Sequence, residues 1–183
     1  MQLEQIKTIG VVGAGQMGNG IAQVAANFGF NVLLTDIHET SLQKGLATIA
    51  SSLDRLIKKG TFTEEQKTLV LGRIQTSVGM GALKEADFIV EAATENIDLK
   101  LQIFRNLDEI ARPGVILASN TSSISITKIA AVTKRPELVA GMHFMNPVPL
   151  MKLVEGIKGL QTSDATFKTV KALSEKMDKV FVE

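Results

Sequence analysis

With 183 residues, a formal net charge of +1 and 45% hydrophobic content, the chain suits one domain with a sizeable core, and no charge excess points to nucleic acid or an anionic membrane. Aromatic content is 4%, all of it Phe, which argues against a base-stacking platform. The absence of Cys excludes disulfides, thiol catalysis and thiolate metal sites, and no metal centre is expected.

Met1-Gln2-Leu3-Glu4-Gln5 leads straight into an apolar run, without the basic start or apolar stretch of a targeting segment. No apolar run approaches the ~20 residues of a membrane span, so a soluble, cytoplasmic protein is expected. Residues 6–12 read as a buried strand. Residues 16–28 have helical spacing through Met17, Ile21, Val24 and Phe28, and Gly29 stops them. A second strand is expected over 31–35, then a long helix over 39–59 with Leu42, Leu46, Ile49, Leu53 and Leu56 on one face. Thr63-Glu64-Glu65-Gln66 opens a short helix reaching about residue 71. Strands are expected over 73–78, 87–92 and 114–118, with a helix over 97–111 between the last two. Further strands over 138–143 and 151–156 are joined by the rigid Asn146-Pro147-Val148-Pro149 loop. A helix over 163–177 and a strand over 179–182 complete the order. This alternation predicts an α/β fold, a doubly wound, Rossmann-type and mostly parallel sheet with helices on both faces. One domain over 1–183 is expected, and the abrupt stop at Glu183 after an apolar run reads as a cut.

Gly13-Ala14-Gly15-Gln16-Met17-Gly18 sits between the first strand and the first helix, with Asp36 closing the next strand. That is the dinucleotide fingerprint in its required setting. Gly13 makes the tight turn, Gly15 lets the backbone approach a pyrophosphate, and Gly18 lets the helix pack closely. The phosphates would lie at the positive end of the helix starting near Gln16, beside Met17. Asp36 can accept hydrogen bonds from both ribose hydroxyls and repel a 2′-phosphate, which predicts NAD over NADP. As an alternative, Asp36 caps the following helix.

Ligands in open parallel sheets bind beyond the carboxyl ends of the strands. Three polar groups fall there: Ala92-Ala93-Thr94-Glu95-Asn96, Ser119-Asn120-Thr121-Ser122-Ser123, and His143. An imidazole can take a hydroxyl proton near neutral pH, as oxidation of an alcohol requires. Glu155 shares a strand face with Met151 and Leu153, where a carboxylate needs a partner. If the double-proline loop folds that strand beside the one ending at His143, Glu155 can orient the imidazole. The alternative is an exposed salt bridge from Glu155 to Lys152 or Lys158. Asn120 and Ser122 are candidate donors to a substrate oxygen or a nicotinamide, although Ser and Thr clusters at strand ends also serve as caps. Composition does not choose between Ser122 and Ser123.

With these motifs in place, and with His143-Phe144-Met145-Asn146-Pro147-Val148-Pro149 running on to Met151-Lys152-Leu153-Val154-Glu155, the chain resembles the cofactor-binding domain of the 3-hydroxyacyl-CoA dehydrogenases. It is most similar to the bacterial 3-hydroxybutyryl-CoA branch. The resemblance implies reversible oxidation of a 3-hydroxyacyl-CoA to the 3-ketoacyl-CoA, with hydride passing to NAD. It implies His143 as base, Glu155 as its orienting partner and Ser122 on the substrate oxygen. It maps cofactor contacts to Asp36, Glu95, Lys100 and Asn120, and CoA contacts to Ser52, Lys59 and Asn146. Ser52 and Lys59 can equally form a solvated helix face. Met145 stands where the family usually has Phe, a tolerable change of shape. The family's catalytic Asn and its all-helical, dimer-forming domain are absent from this chain, so part of the active site is expected to be missing. Two other readings fit the glycine motif: a non-catalytic NAD- or CoA-binding module, and a dehydrogenase of a small CoA-free hydroxy acid.

Overall fold

The computed structural model describes all residues, 1–183. Eight strands form one sheet: β1 (Thr8–Val12), β2 (Asn31–Asp36), β3 (Ile74–Val78), β4 (Phe88–Glu91), β5 (Ile116–Ser119), β6 (Val139–Phe144), β7 (Leu153–Lys158) and β8 (Val180–Val182). Six α-helices cover it: α1 (Gln16–Asn27), α2 (Glu39–Lys58), α3 (Glu64–Gly72), α4 (Ile97–Ile110), α5 (Ile126–Ala131) and α6 (Asp164–Lys176). The spatial order is β3-β2-β1-β4-β5-β6-β7-β8. The first six strands are parallel, β7 runs antiparallel to β6, and β8 is parallel to β7.

The central strands are apolar up to the polar groups at their carboxyl ends, Glu91 and Ser119 among them, because both faces are covered, as parallel sheets require. The pleat divides their side chains between two cores. Ile9, Val11, Val32, Leu34, Phe88 and Val90 pack under α1, α2 and α6, against Ile21, Leu42, Ile49 and Leu173. Val12, Leu33, Ile89 and Leu117 face the other way, onto Phe104 and Leu107 of α4 and Ile126 and Ile129 of α5. The doubly wound α/β architecture expected from the alternation is the one observed.

Element ends differ from expectation where local hydrogen bonds intervene. β7 begins at Leu153, not 151, because the amides of Leu150 and Met151 both donate to the Pro147 carbonyl and stay in the turn. β4 stops at Glu91 and β5 runs on to Ser119. Helix α5 was not expected. It has only six residues, and its signals are the Ser125 hydroxyl accepting from Lys128 N–H and the buried Ile126, Ile129 and Ala130. Elsewhere the local chemistry acts as read: Thr63 and Gln66 form a reciprocal capping box on α3.

β1 has β2 on one side and β4 on the other, so the chain order reverses there and opens a crevice at the strands' carboxyl ends. The glycine turn lies in that crevice. Gly13 has φ of +98°, and a Cβ there would lie 2.7 Å from the Ala93 Cα. A Cβ on Gly18 would lie 1.7 Å from the Gly13 carbonyl oxygen, so the first turn of α1 rests directly on the loop. Gly18→Ala must displace backbone rather than a side chain. It is expected to lower stability by about 3 kcal/mol or more, the upper end for overpacking, measured by urea unfolding at constant m-value.

Candidate active site

Three clefts surround the carboxyl ends of the strands, and each gathers residues singled out from the sequence. The first, about 270 Å³, is lined by Met17, Ala92, Ala93, Thr94, Glu95, Lys100 and Asn120. Its floor is a buried ion pair. Lys100 Nζ donates to Glu91 Oε1 at 2.6 Å and to Ser119 Oγ at 3.3 Å, with both charged side chains at most 1% exposed. The second Glu91 oxygen accepts from the amides of Ala93 at 2.9 Å and Thr94 at 3.4 Å. One carboxylate therefore ties the end of β4 to β5, to α4 and to the loop bearing Glu95. Lys100 reaches this cleft with its ammonium already held by Glu91 and Ser119.

Asp36 lies across the glycine turn. Its Oδ2 accepts from the Ala14 amide at 2.9 Å, and its Oδ1 accepts from the His38 amide at 3.1 Å. The N-cap of α2 is His38, so Asp36 does not cap the helix as the alternative reading had it. Each carboxylate oxygen retains a lone pair for another donor. Gly15, the N-cap of α1, has an ordinary φ of −66° and no atom within 4 Å of where its Cβ would be. The protein's own packing does not require glycine there. The space beside it, at the positive end of α1, suits the pyrophosphate of a dinucleotide.

The second cleft, about 310 Å³, contains Ser122, Ser123, Ser125, Ile126, His143, Glu155 and Lys158. The antiparallel register sets His143 directly opposite Glu155, and His143 Nδ1 lies 3.1 Å from Glu155 Oε2. An ionised carboxylate can only accept, so this contact places a proton on Nδ1, and in the neutral imidazole Nε2 is then the nitrogen with the lone pair. Glu155 is half exposed rather than buried against apolar neighbours, because Met151 lies outside the strand. The two lysines that could have taken it are engaged elsewhere: Lys152 pairs with Asp178, and Lys158 with Asp164 at 2.7 Å. Thr121 Oγ1 donates to Glu95 Oε2 at 2.8 Å, and Ser123 Oγ donates to the same oxygen at 3.3 Å. Ser122 is exposed, and its hydroxyl stays free to meet a ligand. Geometry thus separates two serines that the sequence left equivalent. Asn120 Oδ1 accepts from the Phe144 amide at 2.8 Å, which fixes the side chain and points its NH₂ group away from that bond.

The third cleft, about 390 Å³, runs between α1, α2 and the loop after β6. Ser52, Lys59 and Asn146 line it together. Ser52 Oγ accepts from Gln23 Nε2 at 3.0 Å, and Asn146 Oδ1 accepts from Gln16 Nε2 at 3.0 Å. Arg55 also lines it and escaped the sequence reading. Its signal was spacing, since positions 52, 55 and 59 share one helical face. A larger hollow of about 420 Å³, near Phe28, Phe30 and Lys176, lies at the opposite end of the strands and holds none of these residues. No group of three or more His, Cys, Asp or Glu side chains is arranged to hold a metal ion, and no helix is long and apolar enough to cross a membrane.

Removing one member of a buried ion pair strands the other charge. Lys100→Met is expected to cost about 3–5 kcal/mol of unfolding free energy, while Lys152→Met at the exposed Asp178 pair should cost no more than about 1 kcal/mol. Chemical denaturation of both variants checks the contrast.

The family described as 3-hydroxyacyl-CoA dehydrogenase, NAD binding domain, matches residues 8–183. A 3-hydroxybutyryl-CoA dehydrogenase of Bradyrhizobium diazoefficiens is 50% identical over 95% of this chain and 59% of its own length. A probable 3-hydroxybutyryl-CoA dehydrogenase of Bacillus subtilis is 51% identical over 98% of this chain and 62% of its own. The crystal structure of the (S)-3-hydroxybutyryl-CoA dehydrogenase of Ralstonia eutropha superposes with a TM-score of 0.95 at 56% identity, covering 97% of this chain and 62% of that one. The chain thus spans about three-fifths of the length of these relatives. With a matching family pattern from Thr8 to Glu183 and a fold shared nearly residue for residue, the chain belongs to the NAD-binding domain family of the 3-hydroxyacyl-CoA dehydrogenases.

Proposed function

We propose that this chain is the NAD-binding domain of an enzyme that oxidises 3-hydroxyacyl-CoA, 3-hydroxybutyryl-CoA in the first instance, reversibly to the 3-ketoacyl-CoA. The observation that carries the reading is the His143–Glu155 register, with Ser122 in the same cleft. Gly13, Gly15, Gln16, Met17 and Gly18 would hold the dinucleotide, with Asp36 toward its ribose, and Glu95, Lys100 and Asn120 would complete its contacts. Ser52, Lys59 and Asn146 take the CoA portion, and Arg55 adds a second cation to that wall. The helical domain that completes the site and forms the dimer belongs to the rest of the enzyme, which works in the cytoplasm.

When bound, NAD supplies the hydride acceptor. His143 Nε2 takes the proton of the 3-hydroxyl as the C3 hydrogen leaves with its electron pair, and the C–O bond becomes the ketone. Glu155 holds the ring with Nδ1 protonated and stabilises the imidazolium that results. In the reverse direction the same Nε2 returns the proton. Ser122 Oγ donates to the substrate oxygen in both directions, an interaction that strengthens as negative charge gathers on that oxygen.

NADH oxidation with acetoacetyl-CoA, assayed against free acetoacetate, tests the reading. A strong preference for the CoA ester is expected. Equal turnover of the free acid would favour the CoA-free hydroxy-acid reading, and NADH binding without turnover, even with a helical domain supplied, would favour a non-catalytic module. His143→Ala is expected to lower turnover by about 10²–10⁴-fold with NADH affinity within twofold of the parent. Parallel loss of NADH binding would make His143 structural. Asp36→Ala is expected to weaken NAD binding at least about tenfold, the loss of a charge-assisted pair, and to narrow the preference over NADP. Fluorescence titration of both nucleotides measures it, and unchanged discrimination would remove Asp36 from the ribose.

A further inference from the structure

Lys179 is buried, at 7% exposure, yet has no carboxylate partner. Its Nζ donates instead to two main-chain carbonyls, Val148 at 2.6 Å and Met151 at 2.7 Å. Burial holds its pKa below the ordinary lysine value, assisted by the nearby Lys152 charge and opposed by Asp178. A buried cation is expensive to keep, so what it touches is informative.

Both carbonyls belong to the turn between β6 and β7. That turn lacks two amide donors, at Pro147 and Pro149, and the Leu150 and Met151 amides converge on a single acceptor, the Pro147 carbonyl. Few internal bonds are therefore available to define it. Two outside contacts do so: Val148 is buried against Gly20 of α1, and the Lys179 ammonium bridges the carbonyls across the turn. The same turn supplies Asn146, Pro149 and Leu150 to the cleft, facing Ser52, Arg55 and Lys59 of α2. Lys179 itself stays behind this wall, at the start of β8, where the Val180 amide bonds the Lys152 carbonyl.

We propose that Lys179 is a positioning residue for the acyl-CoA cleft, its buried ammonium holding the 146–151 turn at the distance from α2 that a CoA ester requires. The idea rests on the reading of that cleft as the CoA site. Lys179 makes no contact with the ligand and acts through the turn. A lysine ammonium carries three donors on a flexible four-carbon stem, enough to meet both carbonyls at once.

The test is calorimetric titration of the 183-residue chain with acetoacetyl-CoA and, separately, with NADH. If the parent chain binds NADH and not the CoA ester, the CoA reading of the cleft fails independently of Lys179. If it binds both, Lys179→Met is expected to weaken the CoA ester about tenfold, the cost of ordering a turn that is no longer held in place before binding, with NADH within twofold. Lys179→Arg, which keeps a buried cation with several donors, should recover most of that loss. Amide hydrogen exchange at Leu150 and Met151 should speed up in the Met variant and return in the Arg variant. Equal loss of both ligands, or unchanged CoA affinity in a folded Met variant, would overturn the proposal. If the Met variant does not fold, Lys179→Gln takes its place: weakened CoA affinity with NADH retained and faster exchange at Leu150 and Met151 supports the proposal, and unchanged CoA affinity or equal loss of both ligands overturns it.

Discussion

The Glu91–Lys100 ion pair sits where the two halves of the sheet meet, and much of the site geometry hangs on it. A buried pair of this kind is weak evidence for net stability, because desolvation offsets most of the Coulombic gain. Its effect lies in geometry. The Glu91 carboxylate has four acceptor contacts filled, by Lys100, Ser119 and the Ala93 and Thr94 amides, so the ends of β4 and β5 and the start of α4 cannot move independently. Glu95, four residues along, then reaches across to Thr121 and Ser123. The serine-rich loop is thereby set against the cofactor crevice by a chain of hydrogen bonds that begins in the core.

The last strands extend this order to the cleft that holds His143. β7 reverses direction against β6, and the reversal places His143 and Glu155 across from each other on one face. A slip of one residue would turn Glu155 to the other side of the sheet. Two features pin the register: the proline-containing turn that closes on the Pro147 carbonyl, and β8, which lies on the far side of β7 with Phe181 packed edge-on to Phe167 of α6. The turn therefore serves two clefts. It sets the imidazole–carboxylate pair on one side and forms the wall opposite α2 on the other.

Much of the architecture could be read from residues in order. Apolar runs of four to six residues, separated by helical stripes and glycine stops, led to a doubly wound sheet, and the strands and longer helices lie within a residue or two of expectation. Short or hydrogen-bond-defined pieces did not follow. α5 is too brief for periodicity to reveal it, and β7 starts late because the Leu150 and Met151 amides are held by the turn. The resemblance maps Lys100 to a cofactor contact, and the structure buries its ammonium against Glu91 and Ser119. The sequence holds no sign that Glu91, nine residues earlier at the end of a strand, would meet it in the core.

The sequence by itself determined the fold class, the glycine turn and the strand-end positions of Asp36, Asn120, Ser122 and His143. These depend on local rules: pleat and helix periods, steric limits at Gly13 and Gly18, and the acceptor chemistry of a carboxylate. Tertiary structure alone decided which of those groups meet. It gave Ser123 to Glu95 and left Ser122 exposed, opposed Glu155 to His143 rather than to a lysine, and gathered Ser52, Arg55, Lys59 and Asn146 around one cleft from segments about ninety residues apart. Partner choice between distant side chains depends on strand order and register, which nonlocal packing sets. No pattern confined to one segment carries that information.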